Sequence, residues 1–414
     1  MERDIVIVGA GMVGVCCALE MQRRGARVTL IDRRAPGLET SYGNAGCFAR
    51  SSIVPFNNPT LRHALPKLLG NNTPQFRYRL GYLLRETRWA LSFLAHSREH
   101  VFSQTARALD ALIQLSNGEH LRLLAEAGVT HRLRENGWLF LYRSEVGYAG
   151  SAFSQQIYRQ FGIDIETLDA EGVKALEPSL APLFPRGLWV KDSRSVDNPG
   201  AVVAAYAALF QARGGRIVQA QVTSIARDGQ DWQVVADDAR QWRARDVVVA
   251  LGPWSKALFA QLGLRVPMAF ERGYHRHFAA QSGAGLNRPI YDTAAGYVMS
   301  PMEMGLRLST GVELADCDAL PRPVQMDLVE ASAREAFPLG EALQQTPWMG
   351  RRPTLPDSRP MIGAVPGREG LWCAFGHQHI GFSTGTGTAS LLGALMHGEG
   401  PPIDPTPFAP SRFL

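Results

Sequence analysis

The stretch Ile5-Val6-Ile7-Val8-Gly9-Ala10-Gly11-Met12-Val13-Gly14 decides how the chain reads. Four β-branched residues in a row mark a strand buried on both faces. The glycines follow at once, and residues 15–24 carry apolar side chains at helical spacing until Gly25. Residues 28–31 are a second apolar run, closed by Asp32, 23 residues after Gly9. A GxGxxG alone says little, but strand, glycine turn, helix and strand with a terminal acid make a dinucleotide-binding unit. Gly9 permits the tight turn, Gly11 lets backbone approach a pyrophosphate, and Gly14 lets helix and strand pack closely. The helix N-terminus offers N–H groups and partial positive charge to the phosphates. Asp32 accepts from ribose hydroxyls and repels a 2′-phosphate, which disfavours NADP. The expected cofactor contacts here are Gly9, Gly11, Met12, Val13, Gly14, Asp32 and Arg33.

A simple NAD domain continues into a helix after Asp32. This chain instead has Glu39-Thr40-Ser41-Tyr42-Gly43-Asn44-Ala45-Gly46, small, polar and glycine-rich. At the far end, the strand-like run 371–375 leads into Gly376-His377-Gln378-His379-Ile380-Gly381-Phe382-Ser383 and a helix over 384–397 rich in Gly, Ala, Ser and Thr. Between them, Asp197-Asn198-Pro199 opens a helix to Arg213, residues 216–222 read as a strand, and the strand 246–250 leads into Leu251-Gly252-Pro253-Trp254-Ser255. Gly350-Arg351-Arg352-Pro353 stands before the late strand.

Together these segments resemble the D-amino-acid oxidase superfamily of flavoproteins, and within it the small subunit of bacterial D-amino-acid dehydrogenases. The resemblance implies FAD, with Ser41, Asn44, Ala45 and Gly46 near the flavin and the backbone around Val222 against the adenine. It implies that Ala250, Gly252 and Trp254 lie close to the cofactor. The turn Gly376, His379, Ile380, Gly381, Phe382, Ser383 would place a helix N-terminus at the flavin's pyrimidine edge, where reduced flavin is anionic. It implies a carboxylate clamp at Arg352, whose planar fork suits a bidentate pair; Arg351 stands where the family has Leu. Tyr297 is the expected second carboxylate ligand, with Tyr291 as the alternative. His377 and His379 are expected near flavin N5 or the substrate amine, and His275 or His277 in the side-chain pocket. Sarcosine oxidases attach flavin through a Cys just after the Arg motif. Residues 353–365 contain none, so non-covalent FAD is expected.

Bulk properties narrow the classes. The 414 residues are 45% hydrophobic and 20% charged, an ordinary globular balance. Net charge is +5, yet residues 62–107 hold eight Lys or Arg against two acids. That segment, with Trp89, Phe93, Leu94 and Phe102, reads either as a solvated helical face or as a contact for an anionic membrane or partner subunit. Nothing else points to nucleic acid. Five cysteines without a CxxC argue against a disulfide framework or zinc site, and for a reducing compartment. No run approaches the ~18 apolar residues of a membrane span. The chain opens directly on a strand, so a cytoplasmic protein, or one peripheral on the cytoplasmic face of the inner membrane, is expected.

The expected fold is α/β: a discontinuous Rossmann-like FAD-binding domain (1–54, 150–262, 351–414) and an α+β substrate domain with a mixed or antiparallel sheet (55–149, 263–350). The expected activity is FAD-dependent dehydrogenation of a small amino or imino acid, with D-amino acids foremost and D-proline or D-hydroxyproline as narrower guesses. Electrons would pass to a quinone or another respiratory carrier. A glycine- or sarcosine-type oxidase using oxygen, or an electron-transfer subunit of a larger complex, are the alternatives. No metal site is expected; His275 and His277 share a strand face but lack a third ligand.

Overall fold

The computed structural model describes residues 3–281 and 283–414. Asp4–Val8 lies inside a six-stranded sheet ordered Arg216–Gln219, Arg27–Asp32, Asp4–Val8, Asp246–Val249, Leu371–Phe375, Met361–Ala364. The first five strands run parallel, and the last closes the edge antiparallel. The strands are apolar throughout because both faces are covered. Ile5, Ile7, Val28, Leu30 and Val248 face a helical layer formed by Met12–Arg23, Glu99–Glu126, Pro199–Ala212 and Gly381–His397. Val6, Val8, Val247 and Val249 face a small antiparallel sheet packed around the buried Trp232. The first helix sits so close to its turn that a Cβ on Gly14 would stand 1.7 Å from the Gly9 carbonyl oxygen, so only glycine fits there. Asn198 caps Pro199–Ala212, accepting from the Ala201 N–H at 2.9 Å.

The second layer is an eleven-stranded sheet built on the 12-residue strand Ala269–Ala280. Gly305–Ser309 and Val312–Leu314 pair along one side of it, Leu339–Ala342 and Trp348–Thr354 along the other. Residues alternate across the pleat. Tyr274, Phe278, Tyr297, Met299, Leu306 and Leu308 face outward under the helix Val324–Ala336. His275, Val298 and Ser309 face the first layer, across a cavity.

The division between layers differs from the expected one. Residues 150–190, expected with the dinucleotide unit, contribute Ile165–Asp169 and Arg186–Val190 to the larger sheet, extending the ladder from Trp138–Tyr142. The helix Glu99–Glu126, expected in the substrate domain, packs in the first layer through Ala108, Leu112, Leu123 and Leu124. The expected boundary at 351 falls inside the strand Trp348–Thr354. The expected strand 216–222 ends at Gln219, and Val222 opens a strand of the small sheet. Edge strands choose partners through long-range pairing, which no local pattern encodes. In the basic segment, Trp89, Phe93 and Phe102 are buried rather than available for contact, and Trp89 Nε1 donates to the Thr354 carbonyl at 2.9 Å. The apolar side chains exposed there are Leu69, Leu80, Leu84 and Leu91. Among the described residues no helix is long and apolar enough to cross a membrane.

Candidate active site

A cavity of about 370 Å³ lies between the layers, running from Asp32 to the larger sheet. At its far end Asp32 accepts from the Ala10 N–H at 2.6 Å and the Arg34 N–H at 3.0 Å. Burial raises its pKa, and these two N–H groups work against that rise. Gly9, Gly11, Met12, Val13, Ala250, Gly252 and Trp254 line the same end. Arg33 does not line it: its guanidinium lies 4.0 Å over the Trp254 ring and bonds Glu39 at 2.9 and 2.7 Å, so it holds Trp254 in place. Gly14, Gly46, Gly376 and Val222 also lie outside the lining. Gly14 and Gly46 pack against neighbouring carbonyl groups and Gly376 against the Leu355 side chain, while Val222 is committed to the small sheet by pairing with Ala236.

Residues 40–46 form the roof of the middle section. Thr40 Oγ1 donates to the Arg351 carbonyl at 2.8 Å, and Ser41 Oγ accepts from the Met12 N–H at 3.0 Å. Asn44 Nδ2 donates to the His379 carbonyl at 3.2 Å. From below, Arg307 Nη1 donates to the carbonyls of Tyr42 at 2.8 Å and Asn44 at 2.5 Å. Arg307 is fully buried and makes no ion pair among the described residues. Its Nε donates to His277 Nε2 at 3.1 Å, and desolvation pulls its pKa down to about 10. Nothing in the sequence pattern marked it, because a lone Arg in a strand has no motif.

The late turn docks on the Arg352 strand: the Gln378 N–H donates to the Pro353 carbonyl at 3.0 Å. His379 and Ile380 line the cavity together with Gly381, Phe382 and Ser383, the start of the 17-residue helix Gly381–His397. His377, though it borders the cavity, turns its Nε2 to Thr388 Oγ1 at 2.9 Å and is a positioning residue for this helix. His379 is exposed to the cavity, and its pKa falls to about 4 through desolvation and the Arg352 charge. His120, unmarked by any motif, is buried under the helix with Nε2 3.1 Å from the Phe382 carbonyl oxygen.

On the opposite wall Arg352 lines the cavity and Arg351 does not, as strand alternation requires. Its Nη1 reaches the Gly311 carbonyl at 3.4 Å, and among the described residues it has no ion-pair partner within 4.0 Å. Desolvation lowers its pKa, partly countered by the buried Glu271. A Cβ on Gly273 would stand 2.4 Å from Arg352 Nη2, so this glycine makes the space in which the guanidinium lies. The expected role of Tyr297 does not survive. It is fully buried in the outer core, on the face away from the cavity, because its neighbour Val298 points inward. Tyr291, paired with Val298, lines the cavity instead, its phenol pushed up to about 12 chiefly by desolvation. His275 lines the cavity, while His277 sits behind it against Arg307 and Gln344. The cradle of glycine turn, acid and two helix N-termini suits FAD by its own geometry.

Two outcomes follow. Arg307→Met removes three charge-assisted hydrogen bonds beneath the roof, so apoprotein should bind FAD about 10- to 100-fold more weakly, with Arg307→Lys intermediate. Titration against FAD fluorescence measures this, and an unchanged Kd contradicts the role. The second outcome concerns acid. His120, His277 and His377 stay neutral in the fold, at about 3, 4 and 3 against an ordinary 6.5, mainly through desolvation. The unfolded chain binds their protons first, so their stability contribution is complete above pH 6.5 and is lost as pH falls through the window down to these values. Each should cost up to about 1.4 kcal/mol per pH unit there. Urea midpoints that stay flat down that window would exclude neutral burial of these rings.

The same architecture recurs among known proteins. A family model described as FAD dependent oxidoreductase matches residues 4–395. A D-amino-acid oxidase of Bradyrhizobium diazoefficiens is 32% identical over 419 residues, covering 100% of this chain and 99% of that protein. A D-amino acid dehydrogenase of Paramagnetospirillum magneticum is 30% identical, covering 95% of each. Glycine oxidase from Geobacillus kaustophilus shares the fold at a TM-score of 0.76 and 21% identity over 100% of both chains. With the dinucleotide cradle and the cavity in place, the full-length match shows that the chain belongs to the DAO family of FAD dependent oxidoreductases.

Proposed function

We propose that this protein dehydrogenates a small D-amino or D-imino acid at its α-carbon and passes the electrons to a respiratory carrier such as quinone. The observation that carries the reading is Arg352: a desolvated guanidinium, free of any ion pair among the described residues, lining the cavity beside the late helix N-terminus. Its cross-strand neighbour Glu271 offsets only part of that desolvation, and a substrate carboxylate fits the fork. Bound FAD supplies the acceptor for the hydride that leaves the α-carbon.

The chain's own groups do the rest. Arg352 grips the carboxylate and Tyr291 offers its neutral phenol as a second donor. The positive charge of Arg352 and the dry cavity disfavour an ammonium, so the amine binds unprotonated. His379, neutral at working pH, can accept from an amine N–H without repelling it. The relatives named as D-amino-acid oxidase and D-amino acid dehydrogenases support the D configuration and leave oxygen as the competing acceptor. Non-covalent attachment is supported by the lack of any cysteine in residues 353–365 after the Arg352 motif.

The direct test mixes the yellow protein anaerobically with single D- and L-amino acids and follows bleaching, then admits either air or a soluble quinone. D-Amino acids should bleach it and quinone should restore colour faster than air. Bleaching by L-isomers alone, or by none, ends the proposal. In the same assay Arg352→Met should lower kcat/KM about 10²- to 10³-fold, chiefly through KM, and Tyr291→Phe about tenfold, while Tyr297→Phe stays within about twofold.

The basic segment supports contact with an anionic lipid surface on the cytoplasmic side. Arg62, Lys67 and Arg88 accompany the exposed Leu69, Leu84 and Leu91 on short helices. Co-sedimentation with phosphatidylserine vesicles should occur at low salt and be lost in Leu84→Glu/Leu91→Glu; indifference to vesicles rejects the contact.

A further inference from the structure

The strand beside Arg352 holds a buried carboxyl group that the reaction does not use. Glu271 and Arg352 are directly opposed partners in an antiparallel pair. Such partners share a face of the sheet, with Cβ atoms about 4.5–5.5 Å apart. Glu271 is only 7% exposed. Burial raises its pKa, and the Arg352 charge pulls the other way. The pair is not closed, since among the described residues no ion pair within 4.0 Å joins the two groups. The guanidinium lies instead over Gly273, two residues further along the strand. Gly273 and Arg352 line the cavity and Glu271 does not. A ligand can therefore touch the cation while the carboxyl group stays out of its reach.

The other charged groups nearby are already engaged. Glu313, from the strand on the other side, lies on the opposite face and pairs with Arg272 and Arg79, with Arg77 beside it. Lys256 bonds Glu86 and the Met268 carbonyl. Asp357 is held by Arg359 and Arg412. The Tyr82 hydroxyl accepts from the Phe270 N–H, and burial pushes its phenol up. In the late turn His377 and His379 are neutral, at about 3 and 4 through desolvation. Arg352 is thus the charge that acts on Glu271.

Counting charges gives the consequence. In the empty site one guanidinium faces one carboxylate. An entering carboxylate brings a second negative charge, and one cation in a dry site cannot balance two anions. We propose that Glu271 couples carboxylate binding at Arg352 to the uptake of one proton, taken from solvent as the ligand enters and returned as it leaves. This rests on the reading of Arg352 as the carboxylate clamp. Glu271 is a positioning residue, acting on the ligand through the charge balance at Arg352. The ligand's charge raises the Glu271 pKa further. Affinity is therefore full below the free-site pKa. It falls by up to about tenfold per pH unit as pH climbs from that value to the bound-site value.

The experiment titrates the FAD-loaded protein with propanoate, following flavin absorbance from about pH 6 to 9, where the probe is fully ionised. Propanoate has no amine, so no ammonium titration enters the profile. The wild-type Kd should rise about tenfold or more across this range, and Glu271→Gln should give a flat profile with tighter binding at the alkaline end. In weakly buffered solution with an indicator dye, the wild type should take up protons on binding and Glu271→Gln none. A flat wild-type profile without proton uptake, or a pH dependence that survives in Glu271→Gln, overturns the proposal. The wild-type measurements need no variant to fold. Arg352→Met separates the two readings. If it binds propanoate like the wild type, the clamp itself has failed. If it loses binding while the wild-type profile is flat, the clamp stands and the proton coupling alone is rejected.

Discussion

A buried guanidinium without a carboxylate holds the two layers of this protein in register. Arg307 rises from the larger sheet and donates to two carbonyls of segment 40–46, while the same segment accepts and donates bonds to the first helix, the Arg352 strand and the late turn. Carbonyl oxygens and a neutral imidazole replace the counter-charge, so the cation is hydrogen-bonded rather than neutralised. The cavity is the space this arrangement keeps open: a dinucleotide cradle on one side, a polar sheet face on the other, and a short roof stitched to both.

The electrostatics follow from that dryness. Two guanidiniums, Arg307 and Arg352, lose part of their basicity to burial, and the histidines near them are pushed to the neutral form. Fixed positive charge and neutral imidazoles therefore dominate the cavity wall. Glu271 shows the limit of this rule: it is buried beside Arg352, and desolvation raises its pKa even as the guanidinium pulls it down.

Much of the site was legible from residue patterns, and the reasons are local. The glycine turn, Asp32, the Ser41–Asn44 segment and the 376–383 turn each carry their function in backbone chemistry, which needs particular residues at adjacent positions. Arg352 was legible through its motif, and strand alternation then separated it from Arg351. The errors are equally physical. Tyr297 was placed by likeness, but one residue of register moves a side chain to the other face of a sheet, and Tyr291 holds the inward position. Val222 was assigned to a strand that ends three residues earlier. Trp89, Phe93 and Phe102 looked like contact residues because aromatic side chains in a basic segment read the same whether buried or exposed.

By itself the sequence determined the dinucleotide cradle, since it depends on short-range chemistry, glycines where side chains cannot fit and an acid at a strand end; the cofactor class and the interest of Arg352 came through likeness to a family's motifs. Only the tertiary structure decided which strands share a sheet, which of two tyrosines and which of two histidines line the cavity, and that Arg307 supports its roof. These depend on ladder register between segments far apart in the chain. Cross-strand neighbours have no signature along the sequence, because the pleat and pairing that bring them together arise only when the sheet forms.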